Sequence, residues 1–145
     1  MKKKYSHFEY EEERNEDLMR AYREIREKYP EMKSREIDEE ISRMPSKRFW
    51  VSEERASIVI SAMLKGRKFD KMGKTKLEMY NEILKRVIEL KQKMPNKTLS
   101  ELVFNVVNSP APKFYLTPGS IRILIHKIKT KWYEEKKRKY RHLFM

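Results

Sequence analysis

The second half of this chain repeats the residue pattern of the first half at a constant shift of 65 positions, without a gap. Prolines, aromatic residues and apolar stripes all keep this register. The identical pairs are Pro30 and Pro95, Pro45 and Pro110, Phe49 and Phe114, Glu24 and Glu89, Lys28 and Lys93, Glu36 and Glu101, Ile58 and Ile123, and Ile60 and Ile125. Self-similarity at a fixed period is typical of folds built from repeated units, so we expect two copies of one module.

Each copy has the pattern of three helices, because its apolar residues recur at the spacing of one helix face. Prolines end the first and second helices in both copies, since proline disrupts a helix interior. Candidate N-caps precede the second and third helices, and they are Ser34, Ser52, Thr98 and Thr117. Pro118 stands at the expected first position of the last helix.

These signals predict an all-α protein made of two tandem three-helix modules plus a basic C-terminal helix. Gly66 and Gly73 mark the linker between the modules. The last helix is expected to run from about Gly119 through Trp132 into the tail. The predicted segments are an N-terminal arm (1–14), the first repeat (15–65), a linker (66–76), the second repeat (77–130) and a basic tail (131–145).

The formal net charge of +13 is concentrated in the second half of the chain. Residues 1–73 hold 18 Lys and Arg against 16 Asp and Glu, whereas residues 74–145 hold 17 against 6. Solubility alone does not require such a difference between halves. An electropositive surface attracts polyanions, and neutralisation of phosphates supplies most of the non-specific affinity for nucleic acids.

The residue inventory argues against an enzyme, a bound metal and a cofactor. The chain has no Cys, its three His are far apart in sequence, and it has no glycine-rich phosphate loop. The carboxylates occur in runs that we expect on solvated helix faces; they are Glu11, Glu12, Glu13, Glu16, Asp17, Asp38, Glu39 and Glu40. Without a signal peptide or a long apolar run, the chain is expected to be cytoplasmic and away from membranes.

The second and third helices of each copy resemble the helix-turn-helix plan, over residues 34–65 and 99–130. That resemblance implies that the third helix lies in the major groove of DNA, with its first residues on base edges. The chain departs from the plan in its connecting segments, Pro45–Val51 and Pro110–Leu116, which are longer than the usual turn and lack glycine. Small phage or mobile-element DNA-binding proteins are similar in size, lysine content and tandem build.

The third helix of the second copy carries a row of polar residues opposite its predicted buried face. Arg122, His126 and Lys129 follow one another at helical spacing, with Lys127 beside them. Such a row is suited to phosphates or bases, although an ordinary solvated helix face is the alternative. Replacing Arg122 and Lys129 is therefore expected to leave stability almost unchanged. The first copy has no charge at the matching positions 57, 61 and 64, so its expected role is structural or a protein contact.

Further candidate nucleic-acid-binding residues lie in the connecting segments and in the tail. They are Lys47, Arg48, Lys113, Lys131, Lys136, Lys137, Arg138, Lys139 and Arg141. Phe49 and Phe114 are expected in the core. For Trp50 and Tyr115 the sequence leaves two alternatives open, packing between helices or stacking on an unpaired base.

The sequence thus predicts a nucleic-acid-binding protein, with double-stranded DNA favoured over RNA. The third helix of the second repeat and the basic tail are the expected contacts. The alternative is a structural or adaptor protein, of a phage or mobile element, that binds a protein partner or self-assembles. In that case the acidic residues 9–17 would pair with the basic tail of a neighbouring chain.

Overall fold

The structure, a computed structural model, describes residues 2–144, with side chains described for residues 10–143. The predicted all-α class is confirmed. The helices in chain order are α1 (Lys2–Lys28), α2 (Ser34–Arg43), α3 (Glu53–Leu64), α4 (Lys74–Lys93), α5 (Leu99–Val107) and α6 (Pro118–Phe144).

Helix boundaries recur at the same shift of 65 positions that relates the two halves of the sequence. The first helices α1 and α4 end at Lys28 and Lys93. The second helices begin at Ser34 and Leu99, and the third helices begin at Glu53 and Pro118. The local signals for starting and ending a helix therefore act at equivalent positions in the two halves.

Three of the four predicted N-caps are confirmed. The side-chain oxygens of Ser52, Thr98 and Thr117 each accept a hydrogen bond from the backbone N–H three residues later, at 3.1, 3.3 and 3.2 Å. The predicted cap at Ser34 is wrong, because α2 already includes Ser34 and its N-cap is Lys33, whose side chain accepts no capping bond. α6 begins at Pro118, as predicted.

Helix packing combines elements from both halves of the chain. α3 packs against α4 and α5, whereas α6 packs against α1 and α2. The α1–α2–α6 core contains Leu18, Ile37, Ile41, Ile121 and Ile125, all buried. The α3–α4–α5 core contains Val59, Ile60, Ile83, Leu102 and Val106. The packing units thus differ from the consecutive segments 15–65 and 77–130, because each takes its third helix from the other half.

The connecting segments before α3 and α6 allow this packing, and we name them the crossing segments (45–51 and 110–116). Ser46 and Ala111, which are related by the 65-residue shift, form an antiparallel bridge with reciprocal N–H···O bonds of 3.1 Å. The backbone N–H of Phe49 donates to the carbonyl of Val107 at 3.0 Å, which ties the first crossing segment to α5. A seven-residue extended segment reaches up to about 25 Å, enough to carry the chain across to the other half.

The aromatic pairs of the crossing segments enter opposite cores. Phe49 is buried in the α3–α4–α5 core and Phe114 in the α1–α2–α6 core, so the prediction that both are core residues is confirmed. Trp50 is buried in the α1–α2–α6 core, and Tyr115 stacks on Phe49 with 5.9 Å between ring centroids. The two consecutive aromatic residues of each crossing segment therefore contact different cores. Tyr115 adopts a left-handed backbone, with φ of 56°.

Two carboxylates lie inside the protein, so the prediction that all of them are on solvated faces is wrong for Asp17 and Asp38. Asp17 is fully buried, and its Oδ2 accepts hydrogen bonds from the Lys47 backbone N–H at 2.9 Å and from Trp50 Nε1 at 3.0 Å. Its Oδ1 accepts from the Arg20 guanidinium at 2.6 Å. These donors compensate for the loss of water, because a buried charge requires such partners. Glu12, Glu13, Glu16 and Glu39 are exposed.

Two predicted segment boundaries shift. Of the predicted N-terminal arm, the described residues 2–14 belong to α1, and the connection between the halves covers residues 65–73 because α4 begins at Lys74. The prediction of one helix from about Gly119 through the tail is confirmed by α6. Over the described part of the chain, no helix is long and apolar enough to cross a membrane.

Candidate nucleic-acid interface

α6 has two parts with different surroundings. In its first part, Ile121 and Ile125 are buried against α1 and α2. Residues 130–143 are all exposed, and we name this stretch the C-terminal segment of α6. It extends beyond the α1–α2–α6 core by about 20 Å, at a rise of about 1.5 Å per residue.

All the cations predicted in the tail lie on this exposed segment. They are Lys131, Lys136, Lys137, Arg138, Lys139 and Arg141. Helical spacing places Lys131, Lys137, Arg138 and Arg141 on one side, and Lys127 continues that side toward the core. Glu134 falls among them and offsets one charge. The segment therefore presents a predominantly positive side to solvent.

Large aromatic residues occupy the other side of the same segment. Trp132, Tyr133 and Tyr140 are each more than half exposed. The Trp132 and Tyr133 rings meet edge to face, and Lys136 Nζ lies 4.6 Å from the centroid of the Trp132 ring. A cation over an aromatic ring is held there by the ring's negative face. The segment thus combines a basic side with an aromatic side.

The row predicted on the third helix of the second copy is only partly available to a ligand. Arg122 Nε donates to Asp38 Oδ2 of α2 at 3.3 Å, and Lys129 Nζ donates to the Tyr22 hydroxyl of α1 at 2.7 Å. The side chain of Asp38 is 7% exposed, so removing Arg122 would leave a buried carboxylate without this partner. Because of these contacts we now expect that replacing Arg122 and Lys129 lowers stability, in place of the almost unchanged stability predicted from the sequence.

The contact with Lys129 also changes the acidity of Tyr22. Burial by itself raises the pKa of the phenol, but the hydrogen bonds and the positive charges of Lys129 and Arg26 together outweigh burial, and the pKa is lowered from its ordinary value of 10.0. Lys129 Nζ lies 4.2 Å from the Tyr22 ring centroid as well. Lys129 is thus part of the α1–α6 contact, whereas His126 and Lys127 of the predicted row are exposed.

The three candidates in the crossing segments come together around the bridge between Ser46 and Ala111. Ser46 Oγ lies 2.8 Å from the Arg48 carbonyl oxygen and 3.0 Å from that of Lys113. The Arg48 guanidinium donates to the Phe49 and Val51 carbonyls and lies 5.4 Å from the Trp50 ring centroid. These contacts hold the Arg48 guanidinium against its own crossing segment. Lys47 and Lys113 stay exposed, and Lys113 Nζ lies 3.8 Å from a Glu78 carboxylate oxygen.

Sequence reasoning missed two cations beside α3. Lys65 and Arg67 line a cleft together with the hydroxyl residues Ser57, Ser61 and Ser100. Lys65 is the last residue of the predicted first repeat, and Arg67 lies in the predicted linker. The signal that could have marked Lys65 is its helical spacing from Ser57 and Ser61.

These surfaces carry exposed cations and can therefore attract anions. Across the residues whose side chains are described, no group of three His, Asp or Glu is placed to hold a metal ion. Comparisons of the chain with protein-family models, with curated proteins and with solved structures find no match. Any functional assignment therefore depends on the physical properties of the surface.

Proposed function

We propose that this protein binds nucleic acid, and double-stranded DNA in particular, through the C-terminal segment of α6. The observation that supports this most is the exposure of six Lys and Arg on a helix that extends beyond the core. The major groove of B-form DNA admits an α-helix, and lysine and arginine contacts to phosphates position a protein on the duplex. His126 and Lys127 extend the same surface toward the core.

We also infer that the two halves are copies of one three-helix module that have exchanged their third helices. The matching helix boundaries, the bridge between Ser46 and Ala111 and the reciprocal burial of Phe49 and Phe114 support this inference. In this arrangement each pair of helices that is comparable to a helix-turn-helix combines a second helix from one half with a third helix from the other half. α6 lies beside α2, and α3 lies beside α5.

A second candidate function, binding of a protein partner, is favoured by one apolar groove. The groove has a volume of about 340 Å³ and is lined by Leu64, Ile88, Leu99 and Leu102 among others. Leu64 and Ile88 are 50% and 44% exposed. Exposed apolar patches mark interaction sites in many proteins. Self-association would appear in light scattering as an oligomer formed without nucleic acid.

The dependence of binding on salt tests the proposed function. Fluorescence anisotropy of a labelled duplex should show binding that weakens by about 10³-fold or more between about 50 and 200 mM salt, if roughly six phosphates are neutralised. Deleting residues 134–145 should weaken binding to unrelated duplexes by the same factor, since phosphate contacts carry no sequence information. No binding at the lowest salt, or binding without salt dependence, would contradict the proposal. Competition by unlabelled single-stranded RNA measures whether the protein binds double-stranded DNA more tightly than RNA.

A further inference from the structure

A cleft of about 530 Å³ lies beside α3, near the beginning of α5. Its polar lining consists of two cations and three hydroxyl residues, namely Lys65, Arg67, Ser57, Ser61 and Ser100. Ile58, which is 54% exposed, lines its apolar part. None of these residues belongs to the C-terminal segment of α6 on which the proposed function is based.

The chemistry of the lining matches that of phosphate contacts in protein–DNA complexes. Lysine, arginine and serine side chains are among the usual donors to phosphate oxygens. Among the carboxylates whose side chains are described, none lies within 4.0 Å of the cationic nitrogens of Lys65 or Arg67. The Arg67 guanidinium lies 5.7 Å from the Phe69 ring centroid. Both positive charges are therefore available to an anion, unlike that of Arg122.

The relation between the halves connects this cleft with the surface of α6. At the 65-residue shift, Ser57 and Ser61 correspond to Arg122 and His126. In both units this surface belongs to a third helix that packs against a second helix of the other half. The α6 surface carries its positive groups along the helix, whereas the α3 surface carries hydroxyls along the helix and cations at its end. The two corresponding surfaces thus carry residue types that bind phosphate, and among the described side chains only the α6 surface has its arginine paired with a carboxylate, Asp38.

We propose that this cleft binds a backbone phosphate of the nucleic acid held by α6, as a second contact made by the α3–α4–α5 unit. The inference rests on the proposed function, because the ligand is a phosphodiester of the same nucleic acid. Lys65 and Arg67 supply the charge, and the hydroxyls of Ser57 and Ser61 donate to the phosphate oxygens. The first half of the chain, in which 18 Lys and Arg nearly balance 16 Asp and Glu, therefore also takes part in binding.

The double variant Lys65→Gln, Arg67→Gln tests the cleft in the full-length chain. Because the cleft is proposed to hold one phosphate, the slope of log K against log salt should become shallower by about 0.9 on duplex DNA. The control variant Lys68→Gln, Lys71→Gln removes the same charge from exposed residues that do not line the cleft. Its slope should equal that of the unmodified protein. Circular dichroism melting checks that both variants fold.

A second variant separates hydrogen bonding from charge. Ser57→Ala, Ser61→Ala should weaken duplex binding by about 3-fold to 10-fold, because hydrogen bonds from uncharged hydroxyl donors are lost. The salt slope should stay the same, because the variant removes no positive charge and the number of counterions released is unchanged. If the unmodified protein binds no duplex, the proposed function fails. If it binds and the tail deletion weakens it, but the Lys65 and Arg67 variant behaves like its control and the serine variant binds normally, only the cleft inference is overturned.

Discussion

Replacing Asp17 by alanine is expected to lower the free energy of unfolding by about 3–5 kcal/mol, the usual effect of breaking a buried ionic contact. Asp17 is fully buried and accepts hydrogen bonds from α1, from the first crossing segment and from the Trp50 indole. Its loss would leave the Lys47 N–H and Trp50 Nε1 without their acceptor. One carboxylate thus holds the first crossing segment on α1.

Urea denaturation followed by circular dichroism measures this effect. Glu16→Ala is the matched control, because it removes a carboxylate from the neighbouring exposed position and should change stability by less than about 0.5 kcal/mol. Asp17→Asn should fall between the two, since the amide oxygen still accepts hydrogen bonds but carries no charge. Equal stability of Asp17→Ala and Glu16→Ala would contradict the burial and bonding of Asp17.

Phe114→Ala is expected to destabilise the protein by about 3–5 kcal/mol, as large-to-small changes in a core generally do. Phe114 is 2% exposed in the α1–α2–α6 core, although it belongs to the second half of the chain. Phe49→Ala should have an effect of similar size on the α3–α4–α5 core, because Phe49 is 1% exposed there. Each phenylalanine therefore stabilises the contact between the halves.

Phe104→Ala provides the control for both substitutions. Phe104 is 54% exposed on α5, so its removal should change the free energy of unfolding by less than about 1 kcal/mol. Thermal or urea denaturation of the three variants gives the comparison. A small effect of Phe114→Ala together with a large effect of Phe104→Ala would show that the burial described for these rings is wrong.

Local features of the sequence predicted the helices because the signals that start and end a helix act over a few residues. Prolines, N-caps and apolar spacing marked equivalent boundaries in both halves. They could not predict which helices pack together, because α3 and α6 carry equivalent apolar faces and either could cover the α1–α2 or the α4–α5 pair. The unusual length of the crossing segments was the one available signal, since it allows the chain to reach the other half.

The candidate interface, like the fold, could be predicted from the sequence only in part. Exposure of the tail cations followed from their density on one helix, where no apolar face could bury them. The pairing of Arg122 with Asp38 and of Lys129 with Tyr22 could not be predicted, because the partners lie 84 and 107 positions away in the chain. The position of Ser100 of α5 beside Ser57, Ser61 and Lys65 likewise depends on how α3 packs on α5.

The most direct test of nucleic-acid binding by α6 compares two variants that lose the same charge at different places. The first replaces Lys136, Lys137, Arg138, Lys139 and Arg141 by glutamine. The second replaces Lys68, Lys71, Lys74, Lys76 and Lys85, which are also exposed. The slope of log K against log salt on duplex DNA should become shallower by up to about 4.5 in the first variant, at about 0.9 per phosphate contact, and stay unchanged in the second. If the slope changes by the same amount in both variants, or changes in neither, the proposal that the C-terminal segment of α6 contacts the phosphates is contradicted.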